Sequence, residues 1–344
     1  MSPPSASPQE IVARLGAVQA QDYGAAKWGV GLRGRGLVEA DVERAFNAGE
    51  IVRTHILRPT WHFVAAGDLR WLLQLTAPRV HLVNGWYYRQ AGIDRGVIRR
   101  STALIEAALR DGNYRTRTEL GSTLRRGRID TSNGTRLGYL LMRAELDGLI
   151  CSGPLRGKQH TYALVEERVP RASTLRRDEA LHELARRYVS TRGPATPHDF
   201  AWFSGLTVAD ARRAFESLGP GFETIRIDGR EYRAEPAARP RPAASRAAHL
   251  LPNYDEYFIG YRDRGAFLER LRSEEAPMPT PALERHVIAL GGQLVGGWKR
   301  TLSRASVTVE LAVVARLQRQ EHQSIARAVS AYGEFLQRPV EVRA

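Results

Sequence analysis

The sequence predicts an α+β, mostly helical fold: three tandem winged-helix modules with a C-terminal β-rich domain. Two observations carry this. A capped helix, a second helix and two extended runs around a turn recur along the first two thirds of the chain, and a Pro/Ala/Arg stretch at 235–248 then gives way to a strand-rich pattern. In chain order, Ser7-Pro8-Gln9-Glu10 caps a helix carrying Ile11, Leu15 and Val18, and Val38, Val42, Ala45 and Phe46 mark another that stops at Gly49. Residues 51–65 alternate as a half-buried strand, with Leu57, Trp61 and Phe63 on one side and Thr54, Arg58, Thr60 and His62 on the other. Pro59 assigns this strand to an edge or a bulge. In the second module Thr116-Arg117-Thr118-Glu119 is a capping box, and Asn133-Gly134 precedes a helix with Leu137, Leu140, Leu141 and Ala144 on one face. Gly148 ends that helix, and strands at 149–151 and 159–165 flank a turn. In the third, Thr196 caps a helix with Pro197 at its first position, Thr207 opens the next, and Asp228-Gly229 turns a hairpin between 222–227 and 231–234. Beyond the linker, Gly291-Gly292 joins 286–290 to 293–295, 306–317 continues the sheet, and a helix at about 320–336 ends the fold. The domain boundaries expected are 1–97, 98–170, 171–240 and 241–344.

With 344 residues, 43% of them hydrophobic, the chain can bury a substantial core. It has no apolar run of about 18 residues, and its first residues lack the basic-then-apolar order of a secretory signal, so a cytoplasmic, nucleoid-associated protein is expected. The lone Cys151 excludes internal disulfides and multi-cysteine metal sites, no His-Glu-x-x-His spacing occurs, and neither metal nor cofactor is expected. Only Lys27, Lys158 and Lys299 are lysines, which leaves 48 arginines and a net charge of +14. A GC-rich genome explains arginine over lysine but not the excess over acids, which suits a polyanionic partner met through guanidinium forks. No basic amphipathic helix with Trp or Phe anchors points to a membrane surface instead.

Val18-Gln19-Ala20-Gln21 sets two glutamines around one small apolar residue. On a regular helix they lie about 200° apart, so they converge only if the helix ends or distorts, as Gly24 permits; solvated positions at a helix end are the bland alternative. Far downstream, Leu251-Pro252-Asn253-Tyr254-Asp255-Glu256-Tyr257 mixes acids with aromatics, and a carboxylate pair there can fix arginines without touching substrate. With the winged-helix pattern and the charge, these two stretches make most of the chain resemble the AlkZ-like (YcaQ-related) bacterial DNA glycosylases, whose active site carries a Gln-apolar-Gln or Gln-apolar-Asp motif. The resemblance implies a C-shaped DNA cradle closed on one side by a small β-domain, excision of bulky alkylated or crosslinked bases, and Gln19 and Gln21 as the catalytic residues. The family carries additional helical sequence before the motif, whereas 18 residues precede Gln19 here, so a shortened first module or a late start is expected.

A purine alkylated at N7 or N3 is already cationic and departs neutral, so a glutamine carbonyl that orients a water can suffice without a strong acid. The expected activity is therefore monofunctional hydrolysis of the N-glycosidic bond of alkylated purines, extending to interstrand crosslinks, in DNA repair or in self-resistance to a genotoxin. Asp22 is either a general base or a helix cap. The contacts expected for double-stranded DNA are Arg53, Arg58, Thr60 and His62 on the first polar strand, Tyr254 and Asp255, and Lys299 with Arg300 as a cationic wedge beside Trp298. The competing readings there are a solvent-facing wing and a packed tryptophan at a solvated strand end. A monomer is expected, since tandem modules need no dimer. The alternative function is a non-enzymatic winged-helix DNA-binding protein or transcriptional regulator, while an RNA-associated protein finds no RNP-type strand to support it.

Overall fold

A reciprocal cap starts the chain's first helix: Glu10 N–H donates to Ser7 Oγ and Ser7 N–H to the Glu10 carboxylate, opening α1 (Pro8–Leu15). The computed structural model describes residues 7–171, 174–236, 247–274 and 286–343. Helix α1 stops at Gly16 rather than running through Val18, because Gly16 takes a φ of 76° and the β-branched Val18 joins a two-residue strand, β1 (Val18–Gln19). Asp22 then caps α2 (Tyr23–Gly31), and α3 (Glu39–Ala48) ends at left-handed Gly49.

The expected single strand at 51–65 is a hairpin instead, β2 (Ile51–Ile56) and β3 (Arg58–Ala65), reversing at Leu57 with φ 61°. Tertiary contacts impose this turn on a residue that does not favour it. Leu57 N–H donates to Thr76 Oγ1, and Gly205 lies so close that an added Cβ would sit 2.2 Å from Leu57 O. The sheet runs β1-β3-β2, all antiparallel.

A 22-residue helix, α4 (Leu69–Gln90), leads to α5 (Arg95–Leu109), β4 (Arg115–Thr116), α6 (Arg117–Arg126), α7 (Gly134–Leu146), β5 (Ile150–Ser152), β6 (Thr161–Leu164) and the short α8 (Val165–Arg168). Their sheet repeats the first order, β4-β6-β5, and the Thr116–Glu119 capping box and Asn133 cap sit where the sequence predicts. A third group follows: α9 (Arg177–Arg192), α10 (Pro197–Ser204), α11 (Val208–Glu216) and the hairpin β7 (Glu223–Ile227) and β8 (Arg230–Ala234), turned by Asp228 and Gly229 at φ 49° and 74°. Most of the expected linker, 237–246, lies outside the described residues, as does the N-terminal stretch before Ser7. The C-terminal region holds β9 (Ala248–Leu251), α12 (Glu256–Ile259), α13 (Glu269–Ser273), β10 (His286–Leu290), β11 (Gln293–Leu302), β12 (Val307–Val313), α14 (Arg319–Leu336) and β13 (Val340–Arg343). Its sheet runs β13-β12-β11-β10-β9, antiparallel except for the β12–β13 pair. The fold is α+β, with more helix than strand and a β-rich C-terminal region.

Three hydrophobic cores organise these elements. One joins α1, α2 and α3 to the C-terminal sheet and α14, through Val12, Trp28 and Phe46 against Leu250, Trp298 and Tyr332. A second packs the β2–β3 hairpin against α4, α9, α10 and α11, and a third lies between the far half of α4 and α5–α7. Fully burying one Leu or Phe stabilises by about 1.5–3 kcal/mol. Ala17 belongs to the second core while Val18 and Ala20 belong to the first, so the glutamine segment is pinned along their seam. No helix among the described residues is long and apolar enough to cross a membrane.

Candidate functional site

The glutamines sit on extended chain between α1 and α2, not at a helix end. Val18 and Gln19 pair with Phe63 and His62, and Ala20 N–H continues the ladder to Trp61 O. An extended backbone turns alternate residues to one side, so the 200° separation expected on a helix does not arise. Gln19 is 7% exposed; Gln21, where the chain leaves the sheet, is open to solvent.

Four charged side chains hold this segment. Glu256, at the start of α12, accepts the Gln19 backbone N–H at 2.8 Å with Oε1 and the Arg192 guanidinium at 2.8 Å with Oε2. Arg192, on the last turn of α9, also donates to Leu15 O and Ala17 O. On the other flank Arg53 Nε donates to Ala20 O at 2.8 Å and its Nη2 to Gln21 O at 3.4 Å, with its guanidinium 4.3 Å from the Trp61 ring. Arg58 Nη2 reaches the Gln19 side chain itself, 2.9 Å from Oε1. A guanidinium only donates, so this bond fixes which end of the Gln19 amide is carbonyl.

Across the sheet, Gln19, His62 and Thr54 form one row of neighbours on β1, β3 and β2. His62 and Thr54 are wholly buried. The His62 ring meets Thr60 O through Nδ1 at 3.0 Å, while His62 Nε2, Thr54 Oγ1, Thr60 Oγ1 and Arg58 Nε have no hydrogen-bond partner among the described residues. Burial, then the Arg58 charge, holds His62 well below the ordinary histidine range, so its ring is neutral at neutral pH. Several orphaned polar atoms around one glutamine is unusual in a folded interior, where nearly all such groups are paired.

The expected DNA contacts divide. Arg58 bonds Gln19 and Thr60 lies two residues before Gln19's strand partner His62, while His62 itself is enclosed and Arg53 gives two of its donors to the motif's own carbonyls. The enclosed His62 ring has no open path to phosphate in this geometry, whereas Arg53 keeps its Nη1 hydrogens beyond the two bonds it makes to the motif. Asp255 is buried and grips Arg33 in a two-pronged ion pair at 2.8 and 2.9 Å, so Asp255 and Glu256 together follow the arginine-fixing reading of that stretch. Tyr254, at φ 59°, packs against the first core. The residues expected to form a cationic wedge alternate along β11: Trp298 is buried with Nε1 on Leu251 O, Lys299 is exposed opposite Glu310, and Arg300 turns inward. Arg300 bonds Tyr332 at 2.8 Å and lies 3.7 Å from Asp22, whose other task is the Ala25 N–H, the cap role expected as one option. Gly24 clears this approach, since a Cβ there would sit 3.0 Å from Arg300 Nη2. Arg192, Arg33 and Trp202 carry no local sequence signal and emerge only from the fold. Among the described residues no His/Cys/Asp/Glu group has the makings of a metal site.

The family model described as "DNA glycosylase AlkZ-like" matches residues 12–335. An interstrand DNA cross-link repair glycosylase of Streptomyces sahachiroi is 26% identical over 310 residues, spanning 86% of this chain and 82% of that protein. The solved structure of Streptomyces sahachiroi DNA glycosylase AlkZ superposes with a TM-score of 0.77 at 22% identity, covering 99% of this chain and 94% of that one, which supports the α+β architecture.

Proposed function

The chain belongs to the AlkZ-like DNA glycosylase family, and from that premise we propose that it is a monofunctional glycosylase that hydrolyses the N-glycosidic bond of N7- or N3-alkylated purines in double-stranded DNA and unhooks interstrand crosslinks. The observation that carries the reading is the clamping of Gln19 and Gln21: Glu256, Arg192, Arg53 and Arg58 together fix the backbone of both residues and the amide of the first. So much fixing of a short polar segment suits a group whose work is positioning. A cationic purine leaves neutral, and the remaining demand is a water aimed at an oxocarbenium-like sugar; amides fixed in one orientation meet it without reorganising during the reaction. With Gln19 Oε1 turned to Arg58, its second lone pair and the Nε2 hydrogens remain for water and sugar.

The crosslink part of the proposal draws on the similar Streptomyces protein's name. In the same reading, the two helix-rich units with sheet orders β1-β3-β2 and β4-β6-β5, and the unit closed by β7–β8, are three winged-helix modules bounded near 97, 170 and 240, acting as a monomer on nucleoid DNA. The role is repair or self-resistance to a genotoxin. Duplexes carrying N7-methylguanine, N3-methyladenine or a nitrogen-mustard crosslink, incubated with the protein and then treated with alkali, test it directly. Strand scission at the lesion is expected, and its absence on all three substrates would refute the proposal.

A further inference from the structure

We propose that Arg58 and Arg264, held over the Trp202 indole, bind one phosphodiester of the damaged strand beside the nucleotide that Gln19 addresses, an inference that rests on the glycosylase reading above. Trp202 stands on α10 with its Nε1 anchored to Ile259 O at 2.9 Å, yet 41% of the residue is exposed. The Arg58 guanidinium lies 5.7 Å from the ring centre and that of Arg264 5.1 Å. One indole therefore carries two cations, and neither has a carboxylate in ion-pair reach among the described residues. Arg58 bonds Gln19, Arg264 Nε bonds Phe258 O at 2.9 Å, and Arg58 Nε and Arg264 Nη2 are buried N–H groups with no partner.

The nearby acids are committed elsewhere. Glu256 holds Arg192 and the Gln19 N–H, while Asp199 accepts from Thr196 N–H and Oγ1 and from the N–H groups of Arg262 and Asp263. Burial, then the Arg58 charge, disfavours the Arg264 cation. Two half-buried like charges with unmade hydrogen bonds are costly on their own and are relieved by an anion with several acceptor oxygens. Chemistry demands the same partner. A bare guanidinium bonded to Gln19 would oppose a sugar cation forming nearby, whereas one neutralised by the substrate's own phosphate would not. Both arginines then act only when the damaged strand is seated.

Binding to a duplex with a central tetrahydrofuran abasic analogue tests this without requiring excision, with each phosphate near the analogue replaced in turn by an uncharged methylphosphonate. For the wild type one position should weaken binding about tenfold. In Arg264→Gln that position should become indifferent, and Arg264→Lys, which keeps the charge, should restore part of the sensitivity. Melting curves establish that both variants fold. A Gln variant with the wild-type profile, or a wild type indifferent at every position, would overturn the phosphate site. A wild type with the expected profile that excises nothing would sink the proposed function and leave the site standing.

Discussion

Arg192 and Glu256 form an ion pair at 2.8 Å whose side chains are 3% and 2% exposed, and both partners reach past each other to the backbone on which Gln19 sits. Breaking a buried pair from one side strands the other charge, at about 3–5 kcal/mol. Arg192→Met should therefore lower unfolding stability by an amount of that order. Glu256→Gln, which keeps an acceptor for the Gln19 N–H, should cost less in stability than Glu256→Ala. Urea unfolding measures both, and an Arg192→Met protein within 1 kcal/mol of wild type would contradict the clamp.

Gln19→Ala and Gln21→Ala should each slow base release strongly while leaving duplex affinity within a few-fold, because positioning is lost and phosphate contacts remain. Gln19→Glu should be at least as damaging, since it sets a carboxylate against Arg58 and removes the amide hydrogens. Single-turnover excision rates decide this, and a double alanine variant as fast as wild type would move the catalytic assignment elsewhere.

Stability should fall on acidification below pH 6.5. Burial depresses His62 well below its ordinary value, and His160 and His286 to about 4. The unfolded chain then takes up protons that the folded chain refuses, so the stabilisation is complete above the unfolded value of 6.5 and is lost as pH falls toward the folded values. Fully buried His62 contributes a slope of about 1.4 kcal/mol per pH unit in that window, and the two partly exposed rings contribute less. Thermal melts at pH 7.5, 6 and 5 should show the drop, and His62→Gln should flatten it.

Base removal should leave the strand intact until alkali is added. A nicking glycosylase attacks the sugar with an unprotonated amine, and no lysine is placed for it. Lys27 is buried between Glu39 and Glu43 at 2.9 and 3.0 Å, Lys158 is exposed in the β5–β6 turn, and Lys299 projects outward opposite Glu310. Borohydride should trap no covalent adduct, and an adduct lost on mutating one lysine would overturn hydrolysis by water.

Much of the fold was legible where local chemistry decides it. The helix caps at Ser7, Thr116 and Thr196 and the turns at Asp228-Gly229 and Gly291-Gly292 stand where the sequence puts them, because each is satisfied by atoms within a few residues. The turn at Leu57 was illegible, since Thr76 and Gly205 hold it from elsewhere in the chain. The glutamine motif was visible as a motif, but its extended conformation depends on pairing with β3. Asp255 and Glu256 were readable as holders of arginines, whereas their partners Arg33 and Arg192 follow only from the packing of α2 and α9 against α12.

The bond from Gln19 to Glu256 spans 237 residues, so the two halves of the site leave the ribosome far apart in time. At roughly 5–20 residues per second, a growing chain carries its glutamine segment for about 10–50 s before the clamping carboxylate exists. The first core cannot close in that interval either, because its other wall, from Leu250 to Leu336, is not yet synthesised. Until then α1–α3 lack the apolar partners that the C-terminal region supplies, and the Gln19 N–H lacks its acceptor. On the proposed assignment, a translation product that stops short of Glu256 therefore carries Gln19 without the carboxylate and the Arg192 pairing that orient it.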